Sequence, residues 1–480
     1  MPTEPIPFPI VSAPGRNTHD SAGRLINCYA EPLVNGARGQ FVRRRAPGLT
    51  SFKLGSYTGW RGGIVIGSLL YAGFTGSGGK IASYTTTGVE TLLGSASGTK
   101  KLIWARNNKA TPDVVFVDPD NGAFQVTTVP SVIAYPDADV GAPNAVCFQD
   151  GYFFFSHGDG TVIASAINDT AVNPLDFVKI DGNDGGILRP IPFGQELYLC
   201  GTNTVEVWQD TAQSPGFPYS FVTRIPHGLL GRYAISGYEK GFGKGLFFVG
   251  DDKIVYMLNG YQLQKISHPD VDRAIASFID GGGSVEDIEM FPYTVAGHSV
   301  VVLRTPAWTW IFDIDNLWWH ERYSPDHANW RAYASVDFNG QWLAGDALSA
   351  NIVQITETTQ QELGADLPFI LESGPVTAFP NRLRVGQVTI DMARGVGMTT
   401  GIDPIQTNPR VYIAWSDDGG MNWSNPIERK LGRQSTSPGP VRVNRCGHTL
   451  DQGRRWRVIV YDPVDVELIG GTQTDVVRNY

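Results

Sequence analysis

A strand–turn–strand unit recurs through the middle of this chain and limits the possible folds more than any other feature. Each copy has an apolar run, a turn of Gly, Asp or Asn, and a second apolar run. One strand residue marks each of the seven copies that fit residues 56–365: Tyr71, Phe116, Phe154, Tyr198, Phe247, Val301 and Trp342. Successive markers lie 38 to 54 residues apart, close to the roughly 40–50 residues of a four-stranded propeller blade. The spacing predicts an all-β chain with a roughly seven-bladed β-propeller-like domain.

The runs inside the repeat have the polarity of propeller strands. Leu246–Val249 is entirely apolar, which is typical of a strand covered on both faces. Asp120-Asn121-Gly122, Asp159-Gly160 and Asn259-Gly260 are strong hairpin-turn signals. The best short helical pattern, Val271–Ile279, lies between two units. Two or three unrelated β-sandwiches are the alternative interpretation of the same pattern.

The composition agrees with a large folded β protein. The 480 residues include 56 Gly and 31 Pro, which excludes a coiled coil. They also include 12 Trp, 18 Tyr and 23 Phe, which argues against disorder because these residues can build an extensive core. The formal net charge of −9 argues against a strongly basic surface that recognises a nucleic-acid sequence.

Cysteine usage and the N-terminus indicate where the chain is made. Cys28, Cys147, Cys200 and Cys446 stand alone, without CxxC spacing, and are predicted to be free, mostly buried thiols of a protein made in a reducing cytoplasm. The first residues lack the charged and apolar regions of a signal peptide. No apolar stretch is long enough for a transmembrane helix, so we expect a soluble product.

The regions on either side of the repeat differ from it in character. Residues 1–55 contain Pro and Arg and are predicted to be an N-terminal extended arm. Residues 56–365 are the predicted propeller-like domain. Residues 366–480 contain alternating segments such as Arg382–Met392 and Arg455–Val460, separated by Pro-rich turns. These segments predict a C-terminal antiparallel β-sandwich domain.

An Asp-box pattern is the sharpest motif in the C-terminal domain. Ser416, Asp418, Gly420 and Trp423 match Ser-x-Asp-x-Gly-x-x-Trp. Ser and Asp side chains can bond the backbone of a hairpin turn, glycine permits the required φ, and the tryptophan can fold back as an apolar plug. Asp boxes resemble those of sialidases, where they are structural. A single copy predicts a stapled hairpin rather than an active site.

Other signals of chemistry are weak. The glycine-rich and histidine-containing segments match neither a P-loop, a nucleophile elbow nor a zinc site, so we predict no catalytic, cofactor-binding or metal-binding residues. The dense basic cluster Arg43, Arg44 and Arg45 has two interpretations. It is either a candidate contact with a partner or a phosphate, or a solvated run on an arm.

Several segments, taken in order and spacing, resemble one family. They are Arg24–Glu31 (RLINCYAE), Arg43–Arg45, Pro47-Gly48-Leu49, Ile225–Gly228 (IPHG), Leu246–Asp252 (LFFVGDD) and Ala414–Trp423 (AWSDDGGMNW). Together they are similar to the packaged-DNA stabilisation, or head-closure (tail-hub), proteins of short-tailed bacteriophages. The resemblance spans most of the chain.

The resemblance implies a structural virion protein and not an enzyme. It implies a homo-oligomeric ring, a hexamer, below the portal and the head-to-tail adaptor protein. Such a ring retains the packaged double-stranded DNA through non-specific contact and offers a platform for a tail needle or plug protein and for tailspike or fibre proteins. It further implies a place in the virion tail at the portal vertex after synthesis in the host cytoplasm, no cofactor and no membrane insertion.

Two other functions remain open from the sequence. A receptor- or glycan-binding tail module would use exposed aromatic residues. A sialidase-like hydrolase would need three arginines, a Tyr/Glu pair and an Asp, which cannot be located around the repeat, and the single Asp box lies outside it.

Overall fold

The computed structural model describes residues 3–34, 36, 39–127, 131–180, 186–213, 215–436 and 439–478, without the side chains of 476–478. The chain divides into two compact units. We call one the propeller unit, which consists of Ser51–Thr305 and Arg331–Gln354. We call the other the composite unit, because it combines three separate segments: Met1–Thr50, Pro306–Trp330 and Ile355–Tyr480.

Five four-stranded antiparallel sheets follow one another along the propeller unit. The first two contain Trp60–Ile66, Leu69–Phe74, Lys80–Thr85 and Glu90–Gly94, then Ile103–Arg106, Val114–Asp118, Gly122–Val126 and Val132–Ala134. The third and fourth contain Ala145–Gln149, Tyr152–Ser156, Thr161–Ser165 and Val172–Lys179, then Ile187–Phe193, Glu196–Gly201, Val205–Asp210 and Tyr219–Ile225. The fifth contains Ile235–Ser236, Leu246–Val249, Val255–Asn259 and Gln262–Lys265.

Two further sets of strands complete the description of this unit. Glu289–Val295 pairs with His298–Arg304. Ala332–Phe338, Gln341–Asp346 and Asn351–Thr356 form consecutive antiparallel pairs. The strand Gly48–Leu54, which enters the unit at Ser51, lies beside Asn351–Thr356. A strand from before the repeat therefore joins the last strands of the repeat.

The seven sequence markers occupy equivalent places in these sheets. Each lies on the second strand of its set: Tyr71, Phe116, Phe154, Tyr198, Phe247, Val301 and Trp342. Most are buried. The all-β prediction and the repeat of propeller-like sheets are confirmed, and the number of blades stays a prediction.

The predicted helix is confirmed and extends from Pro269 to Asp280. Proline at the first turn suits a helix start because it has no N–H to leave unpaired. The His268 side chain accepts a hydrogen bond from the Asp270 N–H, and Asp270 and Asp272 favour the positive end of the helix. Val271 and Ile275, four residues apart on one face, are buried. Single 3-10 turns lie at Thr18–Asp20, Gly76–Gly78, Ala138–Val140 and Val285–Asp287.

The composite unit has two main sheets. The first runs Cys28–Pro32, Phe41–Arg45, Glu467–Arg478, Arg382–Met392, Val441–His448, and Thr3–Pro5 also pairs with Glu467–Arg478. The second runs Thr309–Asp313, Trp318–Glu321, Gly23–Ile26, Phe369–Ser373, Arg455–Val460, Arg410–Ser416 and Ile427–Lys430. Gln361–Glu362 and Ala365–Asp366 form a short pair. Both main sheets supply one apolar core, for example through Val388 and Trp456.

The N-terminal segment differs from the prediction of an extended arm. Gly23–Ile26 and Phe41–Arg45 are interior strands of the two composite sheets. Residues 306–330, predicted within the propeller-like domain, also belong to the composite unit. The reason is physical: these strands pair with partners far away in the chain, and no local turn signal reveals such partners.

Candidate functional site

The Asp box closes the turn that precedes the edge strand of the second composite sheet. Ser416 Oγ donates to Asp418 Oδ1 at 2.7 Å and accepts from the Gly420 N–H at 2.8 Å. The Asn422 backbone N–H donates to Asp418 Oδ1 at 2.9 Å, and its side-chain amide donates to Oδ2 at 2.7 Å. These bonds, the Asn422 backbone N–H first, lower the pKa of Asp418 to about 2. Gly420 has a φ of +98°, a conformation that favours glycine.

Trp423 packs under arginine side chains. The Arg457 guanidinium carbon lies 3.7 Å from the centre of the Trp423 ring, and that of Arg455 lies 6.0 Å away. Arg457 also donates twice to Glu372 Oε1, at 2.9 and 2.6 Å. Trp423 itself is half-buried. Its contacts are therefore cation–π contacts, in addition to any apolar packing that the motif predicts.

Arg455 connects the Asp-box turn to distant segments of the composite unit. It donates to the carbonyl oxygens of Gly419 at 2.9 Å, Thr18 at 3.0 Å and Ser373 at 3.0 Å, and to Ser21 Oγ at 2.9 Å. Its burial lowers the pKa of the guanidinium. Arg455 was not among the predicted site residues, although two arginines before a buried tryptophan in a strand are an unusual combination.

Two of the three clustered arginines are buried. Arg43 is 6% exposed and donates to the carbonyl oxygens of Phe8, Pro9 and Ile469 at 2.6, 3.0 and 2.7 Å. Burial lowers the pKa of Arg43 to about 10. Arg45 is 5% exposed and donates to a backbone carbonyl at 2.9 Å. These two side chains hold the composite unit together, which corrects their prediction as contacts with a partner or a phosphate.

Arg44 is the exposed member of the cluster. Its side chain is 31% exposed and pairs with Glu31 at 2.6 Å and with Glu467. Alternating directions along a strand explain the pattern, because Arg43 and Arg45 point to the opposite face from Arg44. A contact with an external phosphate would compete with these two carboxylates.

His227 and two aspartates form a polar cluster in the propeller unit. His227 Nδ1 lies 2.9 Å from Asp251 Oδ1 and 3.9 Å from Asp252 Oδ2. Tyr256 donates to Asp252 Oδ2 at 2.6 Å, and its ring stacks on that of His227 at 5.4 Å. The three possible ligand atoms lie within 4.8 Å of one another, a distance that would suit a cation. The groups are partly exposed and already partnered, and we assign no metal site to them.

A central cavity of about 410 Å³ lies in the propeller unit. We use that name for the space lined by the first strands of successive sheets: Trp60–Ile66, Ile103–Arg106, Ala145–Gln149, Ile187–Phe193, Glu289–Val295 and Ala332–Phe338. The lining also includes Lys101, Leu102, Asn108 and residues between Tyr233 and Lys240. Innermost strands around a common space are the expected arrangement about a propeller axis.

Two clusters of charged side chains lie at this cavity, in addition to the lining residues Arg61, Arg106, Lys240 and Asp337. At the first, Lys101 Nζ lies 2.5 Å from Glu289 Oε2 and 5.4 Å from the centre of the Tyr233 ring. Burial lowers the pKa of Lys101, and the negative charge of Glu289 opposes that effect. Arg304 Nη1 lies 4.0 Å from the same Glu289 oxygen.

Arg189 and Glu239 form the second cluster of charged side chains at the cavity. Arg189 Nη2 donates to Tyr238 Oη at 2.6 Å, and its guanidinium carbon lies 4.9 Å from the Tyr238 ring centre. Glu239 Oε2 accepts from the Gly237 N–H at 2.6 Å. Burial raises the pKa of Glu239 to about 7. The sequence signal for this cluster is Arg189, a charged residue inside the apolar run 187–193. Arg189 was not among the predicted site residues.

The remaining sequence predictions concern the cysteines and membrane segments. Cys28, Cys147, Cys200 and Cys446 are free and buried, as expected. Within the described part of the chain, no helix has both the length and the apolar character needed to cross a membrane.

The repeated sheets define the class of protein. Consecutive four-stranded antiparallel sheets whose first strands line a shared cavity make this a β-propeller protein. The chain belongs to the family described as bacteriophage P22 Gp10, β-propeller, which matches residues 22–360. It is therefore a bacteriophage structural protein and a component of the virion. The family resemblance predicted from the sequence is confirmed.

Other comparisons add distant likenesses. The WD40 β-propeller domain of Doa1 aligns with a TM-score of 0.41 at 10% identity, over 64% of this chain and 96% of that one. BamB from Moraxella catarrhalis aligns with a TM-score of 0.38 at 14% identity, over 69% of this chain and 95% of that one. Because their TM-scores are below 0.5, we draw no conclusion about function from these similarities. No curated protein matches the sequence.

Proposed function

We propose that this protein is the head-closure, or tail-hub, component of a short-tailed phage. In this proposal, copies form a ring, a hexamer, below the portal and its head-to-tail adaptor. The ring retains packaged DNA and carries the tail needle or plug and the tailspikes or fibres. The observation that supports the proposal is membership of the bacteriophage P22 Gp10 family over residues 22–360.

Exposed apolar side chains on outer strands support an assembly role. Leu175 and Phe177 on Val172–Lys179 are 76% and 45% exposed, and Phe221 on Tyr219–Ile225 is 50% exposed. Exposed apolar groups close together on one face often mark a protein–protein interface. A closed ring needs such head-to-tail contacts between neighbouring copies. These strands are the first place to test for a subunit contact.

The charge of the chain supports retention of DNA by closure rather than by tight binding. The formal net charge is −9, and the buried Arg43 and Arg45 add nothing to a phosphate-binding surface. A strongly basic lining would hold the DNA backbone through phosphate contacts and slow its release. An acidic ring can close a conduit without that attraction.

Cryo-electron microscopy of intact virions tests the proposal directly. We expect a ring of this protein between the adaptor and the needle at the portal vertex. Location only at fibre or spike tips would contradict the proposal and favour a receptor- or glycan-binding module. Hydrolysis of sialosides by the purified protein would contradict a purely structural role.

An assembly assay tests the outer strands. We expect Phe177→Ser to reduce incorporation of the protein onto adaptor-bearing, DNA-filled heads at least several-fold. Val89→Ser serves as the matched control because Val89 is 56% exposed but lies outside these two strands. Equal incorporation of both variants, with unchanged circular dichroism, would remove these strands from the proposed interface.

A further inference from the structure

The central cavity is large enough for a small molecule, and its wall contains both apolar and charged residues. Its volume of about 410 Å³ falls in the range of roughly 300–1,000 Å³ that is typical of small-molecule sites. Apolar side chains such as Val146 and Ile191 make up part of the wall, and eight charged residues interrupt it. A mostly apolar pocket with a few convergent polar groups is the usual form of a binding site.

Positive charge exceeds negative charge around this cavity. Five basic and three acidic residues are among those that line it: Arg61, Lys101, Arg106, Arg189 and Lys240, and Glu239, Glu289 and Asp337. Arg189 has no carboxylate within 4 Å among the residues that the structure describes. Glu239 carries only part of a negative charge near neutral pH, because burial raises its pKa to about 7. The excess is opposite in sign to the net charge of the whole chain.

The Arg189 guanidinium has an unused donor. Its Nη2 bonds the Tyr238 hydroxyl, but its Nε is buried and has no hydrogen-bond partner in the described ranges. Trp104 Nε1, also in the wall, is buried and lacks a partner within the same ranges. Unmet buried donors are costly in a folded protein. Neither atom has accessible surface in the cavity, so an occupant would respond to the positive charge of Arg189 rather than to these two donors.

We propose that the central cavity binds one small oxyanion, a phosphate or a carboxylate, through the Arg189 guanidinium. Guanidinium groups match the geometry of phosphate and carboxylate oxygens and form charge-assisted hydrogen bonds with them. Lys101 adds a second positive charge from a neighbouring strand. A cation would be repelled, and an uncharged apolar molecule would leave the positive charge of Arg189 without a counter-charge in the cavity. This inference is independent of the proposed head-closure role.

Isothermal titration calorimetry on the full-length protein tests the proposal. Inorganic phosphate and succinate are titrated separately, with chloride holding the ionic strength constant. We expect saturable binding of at least one of them at one site per chain. Binding of phosphate alone, or of succinate alone, supports the site and identifies which oxyanion it accepts. Absence of saturable binding for both would overturn the proposal.

Matched variants locate the site. We expect Arg189→Met to weaken binding about tenfold or more, which corresponds to about 1.4 kcal/mol. Arg273→Met is the control, because Arg273 lies on the surface helix with a 44% exposed side chain. Glu239→Gln removes a nearby carboxylate and should bind as tightly as the wild type or more tightly. Equal affinity of Arg189→Met and Arg273→Met would overturn the proposal.

A structural experiment on the wild-type protein tests the same site and does not depend on the folding of Arg189→Met. Crystals or grids of the wild-type protein are prepared with tungstate, an electron-dense oxyanion. We expect density inside the central cavity, next to Arg189. Density confined to other parts of the molecule, or none at all, would count against the site.

Discussion

The buried arginines of the propeller unit and of the composite unit bridge very different distances along the chain. In the propeller unit, Arg61 pairs with the Asp118 carboxylate of the adjacent sheet at 2.7 Å. In the composite unit, Arg43 donates to the carbonyl oxygen of Ile469, 426 residues away. Arg455 bonds an N-terminal carbonyl 437 residues away. Hydrogen bonds from arginines of the composite unit thus connect segments near the two ends of the chain.

The sheets show the same contrast. Five sheets of the propeller unit form from strands that follow one another along the chain, while the composite sheets combine strands from distant parts of the chain. Nearby strands close short loops, whereas distant strands close long ones at a greater entropic cost. In the composite unit, long-range arginine–carbonyl bonds therefore join segments that are far apart along the chain.

The largest expected effect is on the buried ion pair of the propeller unit. Asp118→Ala leaves Arg61 buried without its carboxylate, and Asp118 also accepts from Asn121 Nδ2 at 2.8 Å. Breaking such a pair costs about 3–5 kcal/mol. Urea denaturation should show this loss, and Asp120→Ala, at an exposed position, should show almost none. Hydrogen exchange should speed up in Val114–Asp118 and not in composite-unit peptides. Equal loss of protection in both units would show that this ion pair does not act locally within the propeller unit.

The next effect concerns the clustered arginines. Arg43→Met removes three bonds from a charged donor to carbonyl oxygens, and we expect a loss of about 2–3 kcal/mol. Arg44→Met removes only partly exposed ion pairs, which are worth at most about 1 kcal/mol. Urea denaturation measures both losses. Hydrogen exchange should show the Arg43 loss in the N-terminal residues and in Glu467–Arg478. Similar losses for the two variants would show that the long-range carbonyl bonds carry no special weight.

Sequence reasoning predicted local features well. Gly122 takes a φ of +90° in the turn expected from Asp120-Asn121-Gly122. The same holds for Gly160 and Gly260, at +87° and +60°. Such turns depend on two or three adjacent residues, so the pattern alone specifies them.

Sequence reasoning missed what depends on distance along the chain. Nothing local distinguishes a solvated arginine run from one in which alternate side chains are buried, as Arg43 and Arg45 are. The cavity charges were missed for the same reason. Lys101 and Glu289 are 188 positions apart and meet only when the sheets surround a common space. The order of strands in a sheet decides these contacts, and composition does not.

A smaller net effect is expected at the buried ion pair of the composite unit. Arg322 donates to Glu362 Oε1 at 2.8 Å, but Arg322 Nε and Nη1 and Glu362 Oε2 have no partner among the described atoms. Because part of the desolvation is uncompensated, the double variant Arg322→Met/Glu362→Gln should lie within about 1 kcal/mol of the wild type. Each single variant should be clearly less stable than the double variant in a double-mutant cycle. Additive single effects would contradict this interpretation.

The smallest expected effect on stability concerns the Asp box, where the composite unit has local contacts instead of long-range ones. The Asp-box turn lies in the composite unit, yet its bonds join residues only two to four positions apart. These bonds lower the pKa of Asp418 to about 2 from the usual 3.8. The stabilisation is therefore present above about pH 4 and is lost as the pH falls toward 2. Thermal unfolding of Asp418→Asn should show a deficit at neutral pH that closes over this interval. Ser416→Ala removes a neutral partner and should keep part of its deficit at pH 2. A deficit of Asp418→Asn that stays constant from pH 7 to pH 2 would show that the charge of Asp418 contributes nothing, and that the turn is held by its shape alone.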